Sequence, residues 1–214
     1  MAIKFSPYNY TIFFAALSPL FISTYFLFNS VFQGDLRGII FLVGNALASG
    51  LGLLIKAAAK KPRGPLKYGD MYNKSDNPDS LPPAHDFCDV FEPPHSSLKH
   101  FGLPSSHAVF YGYTLAYISA GIQTNPNKPG IPFIIFISIL GGLDLFFRKV
   151  SRCDGFMDIF AGLIIGGVVG TAWFMLIKHG WPNDEGIKMV YYGKDDINVE
   201  KCKLGKQKFV CKKN

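Results

Sequence analysis

The chain has 214 residues, 17% of them charged and 49% hydrophobic, with 20 Phe and a formal net charge of +7. That length allows one or two soluble domains, but long uncharged apolar runs exclude an ordinary soluble globule and point to membrane spans. The basic excess is spread over loops and tail, not gathered on one soluble face, so a membrane surface or phosphate headgroups suit it better than nucleic acid.

In chain order, Tyr10–Phe32 is a run of 23 residues without a formal charge. It is too long for the apolar core of a signal peptide and no A-x-A-like site follows, so a retained helix is expected. Gly38–Ile55 is a second uncharged run. A long polar loop, 56–106, follows and holds eight of the fourteen Pro; it reads as a partly ordered loop and not a domain. Three more apolar runs come after it: His107–Thr124, Ile131–Phe147 with one acid, Asp144, and Phe156–Ile177 with one acid, Asp158. The expected fold is an all-α, polytopic membrane helix bundle of about five spans. Residues 1–178 form the membrane domain and 179–214 a polar tail, whose alternation predicts two or three short strands.

Small residues recur four apart in two runs: Gly162, Gly166 and Gly170, and Gly44, Ala48 and Gly52. This spacing lets helix backbones approach closely in lipid and predicts a compact bundle. Of the four Cys, none forms a C-x-x-C, so a zinc ribbon is not expected, nor is a metal or cofactor. Cys202 and Cys211 flank "KLGKQKFV", a hairpin pattern; a disulfide across it and two free thiols both remain open. His85, His95 and His100 read as solvated loop residues. So do His85, Asp86, Cys88 and Asp89, too crowded for a metal site.

Three polar clusters stand at helix ends. "KAAAKKPRGP" carries Lys56 and Arg63, stiffened by a Pro on each side of Arg63-Gly64. "GLPSSHA" places Ser105 and Ser106 at a helix entrance, where caps belong and backbone N–H groups face an anion, with His107 beside them. "FRKVSRCDGFMDIFAG" carries Arg148, Asp154 and Asp158. Span parity puts all three clusters on one membrane face, where Lys56, Arg63, Arg148 and the Ser105 and Ser106 amides can converge on one phosphate. Asp144 lies four residues before Arg148 on the same helical face and is expected to pair with it.

These motifs resemble the type 2 phosphatidic acid phosphatase family, which includes haloperoxidase relatives and dolichyl diphosphatases. The family pattern is K-x6-R-P, P-S-G-H and S-R-x5-H-x3-D. Here the matching stretches are Lys56-x6-Arg63-Gly64, Pro104-Ser105-Ser106-His107 and Arg148-x5-Asp154-x3-Asp158, so the resemblance covers roughly 38–178. It implies that Lys56, Arg63 and Arg148 hold phosphate, that His107 protonates the leaving group and that Asp158 orients the nucleophile. The family's nucleophilic His is replaced by Asp154. A carboxylate can accept a phosphoryl group, but this one is shorter than imidazole and sets negative charge beside an anionic substrate.

The function expected is binding of a lipid phosphate or diphosphate headgroup with weak or lost hydrolysis. Two alternatives stand: an active lipid phosphatase, or a structural membrane component of a larger assembly whose tail docks a protein partner. Signals for orientation oppose one another. Arg148, Lys149 and Arg152 favour a cytoplasmic site. The habit of the family and the possible glycosylation acceptor Asn73-Lys74-Ser75 favour the other face. The Cys202 and Cys211 pair instead favours a lumenal tail.

Overall fold

A computed structural model describes residues 7–60, 102–125, 130–150, 153–180, 186, 189–191, 201–204 and 209–212, with side chains described between 13 and 191. The elements are α1 (Pro7–Gln33), α2 (Arg37–Ala59), α3 (Ser106–Thr124), α4 (Ile131–Val150), α5 (Phe156–Gly180), β1 (Lys201–Leu204) and β2 (Phe209–Lys212). The expectations for Arg63, the loop histidines, Cys88 and the Asn73 acceptor fall outside the described residues.

Four helices are long and apolar enough to cross a membrane: α1 from Phe13, α2, α4 and α5. The chain is a multi-pass integral membrane protein. The fifth expected span, α3, differs in kind. Its 19 residues give a length of about 28 Å at 1.5 Å per residue. Yet it is rich in Tyr, Ser, Thr and Gly, twelve of its residues are buried, and it touches all four other helices. The outer helices meet lipid with Phe32, Leu54, Val168 and Phe136, all well exposed, as a bilayer requires.

Each outer helix buries a narrow stripe. On α5 it is Asp158, Gly162, Gly166, Gly170, Phe174 and Ile177. On α2 it is Gly38, Phe41, Gly44, Ala48, Gly52 and Lys56. On α4 it is Ile137, Gly141, Asp144 and Arg148. Both small-residue rows predicted from the sequence therefore face inward. A Cβ on Gly166 would stand 2.1 Å from the Val109 carbonyl oxygen, and one on Gly170 2.5 Å from that of Tyr113. On α2, a Cβ on Gly44 would meet the Tyr113 hydroxyl at 2.2 Å. Gly44 opens a slot through which Tyr113 donates to the Phe41 carbonyl (2.9 Å) and Trp173 Nε1–H to the Ile40 carbonyl (3.0 Å). The buried Tyr113 tip and the half-buried Trp173 tip thus find acceptors on α2's own backbone.

Helix α1 contains Pro19, which has no N–H to give the carbonyl four residues back. That carbonyl belongs to Ala15, and Ser18 Oγ–H donates to it at 2.5 Å, so a side chain supplies the missing donor. Tyr111 in turn donates to Ser18 Oγ at 2.5 Å, tying α1 to α3. Gly34, at φ +66°, ends α1 in the left-handed conformation that closes helices. The Asp35 carboxylate then accepts the Arg37 N–H (3.1 Å) at the start of α2.

The tail returns to the bundle after α5. Val190 and Tyr191 are buried in the core, and the Tyr191 hydroxyl donates to the Phe26 carbonyl at 3.3 Å. The tail strands pair antiparallel, with Cys202 the register partner of Cys211, as the hairpin pattern predicted. A test of the packing follows from two adjacent glycines. Gly166→Ala is expected to cost roughly 1–3 kcal/mol, read as an earlier thermal melt in detergent. Gly167→Ala, with open space at its Cβ position, is expected to leave the melt unchanged.

Candidate functional site

The buried stripes of α2, α4 and α5 each turn polar at the same end of the bundle: Lys56 on α2, Asp144 and Arg148 on α4, Asp158 on α5. The entrance of α3 meets them there, as span parity predicted. Lys56 is 1% exposed, and its Nζ–H donates to Ser106 Oγ at 3.5 Å. An ammonium buried this deeply needs acceptors, so α2 is fastened by its basic end to the first turn of α3.

Ser105 caps α3, its Oγ accepting the Ala108 N–H at 3.5 Å. The same hydroxyl donates to Asp154 Oδ2 at 2.7 Å. Its backbone N–H does not face a free anion position, as the sequence suggested, but donates to the Asp158 carbonyl at 3.0 Å. This bond joins the entry of α3 to the first turn of α5.

Arg148 Nε–H donates to Asp154 Oδ2 at 2.5 Å, with the two side chains 5% and 1% exposed. One carboxylate oxygen therefore gathers both Arg148 and Ser105. The turn that carries Asp154 is set by the end of α4: the N–H groups of Cys153 (2.8 Å) and Asp154 (3.4 Å) both donate to the Arg148 carbonyl. Cys153 is disulfide-bonded, a tie that the sequence reading did not assign. Across the same turn, the Lys149 ammonium stands 5.1 Å from the Phe156 ring centroid.

Asp158 accepts the Gly155 N–H through Oδ2 at 3.0 Å. Gly155 precedes α5 and Asp158 is its third residue, so this is the reach-back half of a capping box. The role implied by the resemblance, orienting a nucleophile at Asp154, is not the bond observed for this oxygen.

Asp144 brings the main correction. The sequence paired it with Arg148, one turn on along α4. Instead, Asp144 Oδ2 accepts the Nδ1–H of His107 from α3 at 2.6 Å, with both side chains at most 2% exposed. Arg148 turns to Asp154. A carboxylate within a span takes the partner that its packing face presents, and α4 presents Asp144 to α3. The available signal was depth: His107 lies in the first turn of α3 and Asp144 near the returning end of α4, which places them at one level.

Among the described residues the site holds two cations, Lys56 and Arg148, three carboxylates and one histidine in a buried, hydrogen-bonded cluster. Among the described residues no group of three or more His, Cys, Asp or Glu is placed to hold a metal ion. Chemically, the cluster offers donors to an oxyanion and one imidazole fixed by a carboxylate. Comparison with family models, curated proteins and solved structures gives no match to this chain.

The Arg148–Asp154 pair makes a stability test. Arg148→Met leaves a buried carboxylate without its cation and is expected to cost about 3–5 kcal/mol. The double variant Arg148→Met, Asp154→Leu removes both charges and should recover most of that loss. Thermal melts of the purified protein in detergent check both.

Proposed function

We propose that this end of the bundle binds the phosphate or diphosphate headgroup of a lipid and hydrolyses it weakly or not at all. The resemblance to type 2 phosphatidic acid phosphatases supplies the substrate class. The observation that carries the reading is the position of Asp154. Its Oδ2 accepts from Arg148 Nε and from the Ser105 hydroxyl, two donors suited to a phosphate oxygen. An internal carboxylate therefore stands where the substrate's oxygen is expected, and an arriving phosphate must displace it. The same two bonds hold Asp154 back from attack on phosphorus, because a carboxylate oxygen engaged by a guanidinium is a poor nucleophile.

A lipid substrate fits the surroundings. The site lies at the ends of lipid-exposed helices, so a diacyl or polyprenyl chain can stay in the bilayer while its headgroup enters. The disulfide at Cys153 belongs to the same end and supports placing the site on the side of an oxidising compartment.

Two measurements test the reading. Equilibrium binding of radiolabelled phosphatidate to the protein in detergent should fall at least about tenfold in Lys56→Ala, which removes a charged donor, and rise roughly tenfold in Asp154→Asn, which weakens the internal competitor. Unchanged binding in both variants would sink the proposal. Phosphate release from a panel of lipid phosphates and diphosphates should be slow or undetectable in wild type and should appear in Asp154→His. Rapid wild-type turnover that vanishes in His107→Ala would make the protein a working phosphatase instead.

A further inference from the structure

Cys153 stands in the turn between α4 and α5, buried beside Asp154, and is disulfide-bonded. The second sulfur of that bond belongs to a residue whose side chain lies outside the described ones. The chain has four Cys, so the candidates are Cys88, Cys202 and Cys211. Cys202 and Cys211 stand opposite each other across the β1–β2 pair. Directly opposed residues of an antiparallel pair have Cα atoms about 4.5–5.5 Å apart, a separation that a disulfide spans. The hairpin therefore offers each of them the other as its counterpart.

Their place in the chain also separates them from Cys153. Helix α5 begins at the site end and carries the chain about 37 Å away over its 25 residues. Beyond it, Tyr191 is fixed at the far end of the bundle, donating to the Phe26 carbonyl of α1 and accepting from Asn29. A return from Tyr191 to Cys153 would draw the following segment back along the bundle as extended chain, with backbone N–H and C=O groups unpaired in lipid. Cys88 meets no such barrier. It lies in loop 56–106, whose two ends meet at the site, where Lys56 Nζ–H donates to Ser106 Oγ at 3.5 Å. The loop starts and finishes on the membrane side that carries Cys153.

From this placement we infer that Cys153 is joined to Cys88 and that the bond is a positioning device for Asp154. The positioning role rests on the phosphate-binding reading above; the pairing does not. Closing the bond takes two electrons and two protons from the two thiols, which a disulfide-donating oxidant of an oxidising compartment accepts as it becomes a dithiol. Once closed, the bond holds the residue just before Asp154, in a turn already drawn to α4 by the Cys153 and Asp154 N–H groups on the Arg148 carbonyl. On the other side of Asp154, the Gly155 N–H donates to Asp158 Oδ2 at 3.0 Å. Asp154 is thus anchored before and after, and from that turn its Oδ2 accepts from Arg148 Nε and the Ser105 hydroxyl. A phosphate that takes those two donors must move the carboxylate away, and the anchored turn resists the movement. The disulfide keeps the internal carboxylate in competition with the ligand and lowers the affinity of the site.

The pairing is read first, on the full-length wild-type protein, so that no variant has to fold. Free thiols are alkylated during denaturation, the protein is digested without reduction, and linked peptides are identified by mass spectrometry. A peptide joining Cys88 to Cys153 is expected. Cys153 joined to Cys202 or Cys211, or found alkylated, would overturn the pairing. The positioning role is read by equilibrium binding of radiolabelled phosphatidate in detergent. Cys88→Ser is expected to raise the affinity roughly fivefold when Asp154 is present and to change it by less than about twofold in the Asp154→Asn background, where the competitor is already weakened. A tie that served only the fold or the loop would move binding equally in both backgrounds, and that result, or a fall in affinity in Cys88→Ser, would overturn the positioning role and spare the phosphate-binding reading. Absence of binding in wild type and in Asp154→Asn would overturn that reading and the positioning role together, while the mapped bond still decides the pairing.

Discussion

In lipid, apolar side chains gain little by moving from acyl chains to a protein interior, so helices must be held by close contact and by polar bonds. The approach of α5 and α2 to α3 is the constraint on which this molecule depends. Gly162, Gly166 and Gly170 let α5 press its backbone against that of α3, and Gly44 admits the Tyr113 and Trp173 tips to α2. This contact places Lys56 and Asp158, because the stripes that pack α2 and α5 are the stripes that carry them, and the buried stripe of α4 carries Asp144 and Arg148 in the same way. Packing and chemistry are two ends of one helix face.

That arrangement explains how so many ionisable groups are tolerated at the end of an apolar bundle. A buried charge is costly unless a partner meets it. Here three are met by a group from another segment, Lys56 by Ser106, His107 by Asp144 and Arg148 by Asp154, while Asp158 is met at the start of its own helix. The cluster is largely neutralised from within.

Much of this was legible in the chain. Apolar runs gave the helices, four-residue spacing of small residues gave their inner faces, and span parity gave the common end of the clusters. These are regularities of composition and period, and lipid enforces them strictly. The partners of Asp144 and Arg148 were not legible in the same way. Both lie on one face of α4, four residues apart, and local spacing proposed that they pair with each other. The structure turns each across a helix boundary, Asp144 to α3 and Arg148 to the turn before α5. Likewise, the resemblance gave Asp158 the role of orienting the nucleophile, while the bond seen for its Oδ2 caps its own helix, a contact that depends on where α5 begins by a single residue.

The sequence by itself therefore determined a membrane bundle, the inward faces of its helices and the end at which its polar residues gather. Those properties follow from hydropathy and helical period, which are local. The tertiary structure decided which carboxylate answers which base. Asp144, Asp154 and Asp158 are chemically alike and close in sequence, and only the rotation and depth of each helix sets a given oxygen 2.5–3.0 Å from its donor. A hydrogen bond tolerates an error of a few tenths of an ångström, and no pattern in the chain is read to that precision.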